Sequence, residues 1–274
     1  MTETSPIAAS LVSPHRPRFG VKASRAIFAL MLREMATTYG RSPGGYLWAV
    51  ADPIAGVILL TTVFSLAFHT PPLGTNFPLF YATGFIPFTA YTELTMKIGQ
   101  AIRYSRPLLN YPTVTFVDAI ISRLLLNLLT EIVIFAIVIF GIAVLYGLRL
   151  DINAFRLLHG LSMLTVLVLG LGTFNCYMFG AFPVWERIWS IMNRPLFFLS
   201  GIFLVVDSLP EGFRKVLLLN PLTHVIAEIR AGFFPTYDAR YVSPVFAYST
   251  GLFFLVLGML LLYRHHRFLI TEGA

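Results

Sequence analysis

Cysteine, lysine and charge of either sign are scarce in this 274-residue chain. Cys176 is the single cysteine, so no disulfide can form within the chain. It reads as a small buried hydrophobe. The three lysines stand in "VKA", "MKI" and "RKV". None lies between glycine and serine or threonine, which excludes a phosphate-binding P-loop. Charged residues make up 12%, against roughly 25% in soluble domains, which excludes an ordinary soluble domain. There is no Gly-x-Ser-x-Gly elbow and no carboxylate pair suited to glycosyl transfer. His265 and His266 have no cysteine or acid at ligand spacing, which excludes a metal site there. The first 20 residues lack the apolar core of a signal peptide. Residues 1–18, rich in Pro and Ser, read as a disordered cytoplasmic tail.

What the chain has in quantity is apolar surface, 57% of its residues. Windows of about 20 mostly apolar residues mark membrane spans. Six are found, at 47–68, 77–96, 119–146, 157–180, 189–206 and 245–263. Residues 19–274 therefore read as one all-α, polytopic membrane domain with both termini on the same side. The outer segments hold only Arg149, Arg156, Arg214, Lys215, Arg230 and Arg240 of the 20 Lys and Arg. The rest fall on the inner side, which places both termini in the cytoplasm. The same rule accounts for the net charge of +7 without a nucleic-acid partner.

Three segments do not span. Residues 19–43 carry Ile27, Leu30, Met31 and Met35 at helical spacing, interrupted by Arg25, Arg33 and Glu34, with Arg41 beyond. This pattern predicts an amphipathic helix on the inner membrane face, stopped by Pro43, Gly44 and Gly45. Residues 99–118 form the largest inner loop, basic and divided by two prolines. Arg103, Tyr104, Ser105, Arg106, Asn110 and Tyr111 suit a docking surface there. Residues 207–243 lie outside, between spans five and six, and contain "NPLTHVIAEIRAGFF". Asn220 is a good N-cap, Pro221 suits the first helical position, and Gly232 suits the end. From 221 to 231 such a helix is roughly 16 Å long, half a hydrocarbon core. One face of it is expected to be accessible from outside.

Two polar patterns lie inside spans. Arg123, Asn127 and Glu131 recur every fourth residue along span three. They read either as a buried stripe whose Arg and Glu satisfy one another through Asn, or, at Glu131, as the acid of a proton-coupled carrier. Tyr81, Phe85, Phe88, Thr92 and Thr95 share a face of span two. An aromatic stripe is usually helix packing; in a channel it presents flat apolar faces and hydroxyls to sugar rings.

Four stretches resemble one family. "TTYGRSPGGYLWAVADPI" (37–54) is similar to its approach to span one, and "TGFIPFTAYTE" (83–93) to its second span. "SGIFLVVDSLP" (200–210) followed by "NPLTHVIAEIR" (220–230) resembles its outer signature. The chain thus resembles the membrane subunits of type-2 ABC exporters, and more narrowly the capsular-polysaccharide and O-antigen export permeases. The resemblance implies a homodimer in the bacterial inner membrane. Two copies of a separate ATPase would bind ATP and Mg, leaving this chain neither enzyme nor cofactor-binding. The 99–118 loop would couple to the ATPase, and Arg25, Arg33, Glu34 and Arg41 would belong to the interface helix. A lipid-linked polysaccharide would pass between the copies along Tyr81, Phe85, Phe88, Thr92, Thr95 and Arg194. Residues 207–243 would fold back as re-entrant helices, with Asn220, Pro221, His224, Glu228 and Arg230 at or within the channel mouth, where periplasmic export partners can dock. O-antigen, teichoic-acid or drug export by the same superfamily, a proton-coupled carrier and a membrane acyltransferase are the competing readings.

Overall fold

The computed structural model describes residues 19–38, 44–109 and 114–271. The expected tail (1–18), Arg41, Asn110 and Tyr111 lie outside the described residues. All regular structure among these is helical: α1 (Phe19–Thr38), α2 (Gly45–Ala67), α3 (Phe77–Gly99), α4 (Ala101–Leu109), α5 (Phe116–Tyr146), α6 (Ala154–Ala181), α7 (Pro183–Phe198), α8 (Glu211–Leu218), α9 (Pro221–Phe233) and α10 (Pro244–Thr271). A single 3-10 turn, Val206–Ser208, precedes α8.

Short polar residues set the helix starts. Asn76 Oδ1 accepts the Leu79 amide at 2.9 Å and opens α3. At α5 the Thr115 hydroxyl accepts the Asp118 amide (3.2 Å) while the Asp118 carboxylate accepts the Thr115 amide (2.9 Å). This reciprocal capping satisfies two donors that helix geometry leaves free. Asn220 caps α9 through the Leu222 amide, with Pro221 in the first turn, as the sequence predicts.

Helix α6 is the hub, packed against α10, α3, α9 and α7. Its closest partner is α10, where a Cβ on Gly170 would collide with the Gly251 carbonyl. Two glycines facing each other let the backbones meet as side chains would not. The C-terminal end of α3, α4, the start of α5, the end of α6 and the start of α7 gather at one end of the bundle, the elbow end. Helices α8 and α9 sit at the other.

Among the described residues, four helices are long and apolar enough to cross a membrane: Leu47–Ala67 of α2, Phe116–Tyr146 (α5), Ala154–Ala181 (α6) and Pro244–His266 of α10. Helices α8 and α9, bent by 98°, make a fifth if counted together. Helix α3 has spanning length, but its Thr, Tyr, Pro, Glu93 and Lys97 dilute its apolar content. It tolerates them because α2, α5, α6 and α9 surround it, so protein rather than lipid covers most of its surface. The fifth predicted window, 189–206, is displaced. Helix α7 starts at Pro183 and ends at Phe198, and the chain then turns through Gly201 at φ 71°. That left-handed conformation suits glycine and cannot continue a helix.

Candidate functional site

At the elbow, α3 turns into α4 through Gln100. Its amide Nε2 donates to Glu186 Oε1 of α7 at 2.6 Å. Arg103 Nη1 reaches Glu186 Oε2 at 2.8 Å, and its Nη2 reaches the Phe179 carbonyl at 3.3 Å. Tyr104 points the other way. Its ring lies under the guanidinium of Arg123, 4.2 Å from centroid to Cζ, and beside that of Arg33 at 5.3 Å. Its hydroxyl meets that of Thr37. Of the predicted docking residues, Arg103 and Tyr104 are therefore engaged within the chain. Ser105 is buried, and Arg106 is half-buried.

Beneath Tyr104 lies a buried ion pair. Glu34 of α1 forms an ion pair with the Arg123 guanidinium, its Oε2 3.3 Å from Nε, and its Oε1 accepts from Asn127 Nδ2 at 3.2 Å. Arg123 Nη1 also donates to the Lys97 carbonyl at 2.5 Å. The predicted stripe is thus corrected: Arg123 and Asn127 are satisfied by Glu34, not by Glu131. Glu131 stands apart, beside Ile86, Pro87, Phe135 and Leu164. Of the predicted interface-helix residues, Glu34 is inside the bundle, Arg33 is at its edge and Arg25 is exposed.

The aromatic stripe divides. Tyr81 and Thr95 are 0% exposed and Phe88 is 6% exposed. They are packing residues within one chain, because neighbouring helices close over that face of α3. Tyr81 packs on Phe64, Phe77 and Phe80, and the Thr95 hydroxyl donates to the Tyr91 carbonyl at 2.8 Å. Phe85 and Thr92 are half-buried, and Arg194 is exposed. Phe85 lies over Gly56 of α2 and against Phe197 of α7. Between α3 and α7 runs an open groove of about 360 Å³, lined by Thr92, Glu93, Met96, Lys97, Ser190 and Asn193. Glu93 and Lys97, one turn apart on its α3 wall, pair at 2.8 Å.

At the opposite end, every residue of α9 from Leu222 to Phe233 is buried, so no face of it is accessible. Gly232 does not terminate α9; it lies within the last turn, where its carbonyl accepts the Asn153 amide at 2.9 Å. His224 Nε2 donates to the Leu218 carbonyl at 3.0 Å, and its Nδ1 accepts the Ser243 amide at 3.1 Å. Those two bonds fix one neutral tautomer. Glu228 meets His159 Nδ1 at 3.1 Å and Arg156 Nη1 at 4.0 Å, both on α6. Arg230 donates to the Gly201 carbonyl at 2.5 Å and the Ile202 carbonyl at 2.7 Å, with its guanidinium 4.1 Å from the Phe80 ring centroid. These polar residues pair within the chain.

Glu186 is absent from the sequence-predicted set, whereas Arg123 and Asn127 are in it with the wrong partner. Glu186 had one legible signal, an acid in the first helical turn after Pro183, where the helix dipole favours it.

A helical bundle with several helices long and apolar enough to span, a bent helix pair at one end and a polar elbow at the other defines a polytopic membrane protein. Residues 25–234 match the model of the ABC-2 type transporter family, and the chain belongs to that family. Among its relatives is the polysialic acid transport protein KpsM of Escherichia coli, 31% identical over 245 residues, covering 89% of this chain and 95% of that protein. The capsule polysaccharide export inner-membrane protein CtrC of Neisseria meningitidis serogroup A is 24% identical over 240 residues, 88% of this chain and 91% of that protein. BexB of Haemophilus influenzae, also a capsule polysaccharide export inner-membrane protein, is 25% identical over 238 residues, 86% and 89% respectively.

Proposed function

We propose that this chain is the membrane-spanning permease subunit of an ATP-driven exporter that moves a lipid-linked capsular polysaccharide across the bacterial inner membrane. Helices α2, α3, α5, α6, α7 and α10 are its six spans, with both termini in the cytoplasm. The elbow end then faces the cytoplasm, α1 lies along the inner interface, and α8–α9 fold back into the outer leaflet. Two copies pair, and two copies of a separate ATPase press on α4. ATP and Mg stay in that partner.

The observation that carries this reading is the α3–α7 groove. Lys97 and Glu93 lie about half a turn and under two turns from the elbow end of α3, and Ser190 and Asn193 line the same groove from α7. Such a surface is costly against lipid tails and is suited to a wet pathway or a second copy. Its hydroxyl, amide and charged groups match the hydrogen-bonding chemistry of a glycan. A polymer many sugars long does not fit an enclosed pocket, so a continuous channel advanced by repeated ATP-driven strokes suits it better.

Deleting the gene in its host tests the reading. Polymer trapped in the cytoplasm, with none at the surface, is the expected result. Unchanged surface polymer would overturn it. Export is expected to need the ATPase and to survive Glu131→Gln; a proton-coupled carrier would show the reverse.

A further inference from the structure

The polar attachments of α7 lie at its two ends. At its start, Glu186 takes a bond from Gln100 (2.6 Å) and one from Arg103 (2.8 Å), and Trp185 Nε1 donates to Asn175 Oδ1 of α6 at 3.1 Å. Just past its end, α9 grips the chain. Asn220 Nδ2 donates to the Leu199 carbonyl (3.0 Å), Thr223 Oγ1 to the same oxygen (3.2 Å), and Arg230 to the Gly201 and Ile202 carbonyls. Between these grips Arg187, Ser190, Ile191 and Arg194 are exposed.

We infer that α7 is a lever that carries displacement of the elbow to the outer helix α9, with Glu186 as the residue that positions its inner end. The inference rests on the permease reading, in which the ATPase displaces α4. Helix α7, 16 residues and about 24 Å long, is stiff on that scale up to Pro195, which leaves only its last turn short of one hydrogen bond. Moving its start therefore moves its end. The load at the inner end passes through one carboxylate held by two donors, and both donors sit where α3 becomes α4. The outer end passes its motion through carbonyls held by buried side chains of α9. Arg103, expected at a docking surface, thus works toward α7 as well.

The test uses the full chain purified with its ATPase subunit, and export in cells. Glu186→Ala should leave the ATPase bound and hydrolysing ATP while polymer export falls roughly two- to thirtyfold, the range seen for residues that carry coupling. Glu186→Arg alone should behave likewise. The swap Glu186→Arg with Arg103→Glu should restore export, which a general folding defect would not allow. Cysteines at 100 and 186, introduced with Cys176→Ser, should lower export as Glu186→Ala does and restore it when joined by a short bifunctional maleimide, because the joint then moves as one body. Wild-type export in Glu186→Ala, no rescue by the swap, or no recovery of export on cross-linking would each overturn the lever. A wild-type chain that brings down no ATPase would instead overturn the permease reading, and the lever with it.

Discussion

Arg230 is held by neutral partners: two carbonyls and the Phe80 ring. It is 3% exposed, so its charge is compensated by dipoles rather than by an acid. Arg230→Lys keeps the charge but loses the planar fork that reaches both carbonyls. We expect it to cost about 2–3 kcal/mol, the worth of a hydrogen bond to a charged group, read as a lower unfolding midpoint in detergent. Glu34 and Arg123 are the opposite case, a buried ion pair in which each partner neutralises the other. Glu34→Ala strands the Arg123 charge and should cost about 3–5 kcal/mol. Replacing both residues by Met should recover most of that loss, because the desolvation penalty of both charges disappears. If the double variant is no more stable than Glu34→Ala, the pair is not the reason Glu34 matters.

At the scale of elements, α8 and α9 separate what the sequence makes legible from what it does not. The start of α9 is local information, and Asn220 and Pro221 declare it. The apolar windows at 47–68, 119–146, 157–180 and 245–263 are legible for the same reason, since hydropathy needs no partner. Coverage is not local. The stripe Leu222, Val225, Ile226, Ile229 and Phe233 implies a polar face opposite, yet α3, α6 and α10 cover that face too. Tyr81 and Thr95 mislead in the same way, because spacing gives a face but not its neighbour. The Glu34–Arg123 pair joins residues far apart in sequence, so only the fold reveals it. The buried state of α9 yields a clear expectation. Single cysteines placed across 222–233, with Cys176 replaced, should resist a water-soluble maleimide. Cysteines at Thr236 and Arg240, exposed in the segment after α9, should react. Uniform reaction across α9 and that segment would mean that α9 is not packed as described.

For the molecule as a whole, the exposed surface is of two kinds, and each asks for a different neighbour. Phe140, Val144 and Leu145 of α5 and Phe253, Val256 and Leu260 of α10 are large, apolar and exposed. In a bilayer that is the surface lipid covers without cost. The α3–α7 groove is the exception, since Glu93, Lys97, Ser190 and Asn193 hold hydrogen-bonding groups that lipid tails cannot satisfy. It must be met by water, by a second copy, or by both. In inverted membrane vesicles, single cysteines at Ser190 and Asn193 should therefore react with a membrane-impermeant maleimide or cross-link one copy to another under oxidation. Cysteines at Phe140 and Val256 should do neither. Reaction with the impermeant reagent alone places the groove on a wet pathway, and copy-to-copy cross-linking places it at the seam of a dimer. Inert positions at 190 and 193, matching 140 and 256, would put the groove against lipid and remove the main physical support for a channel there.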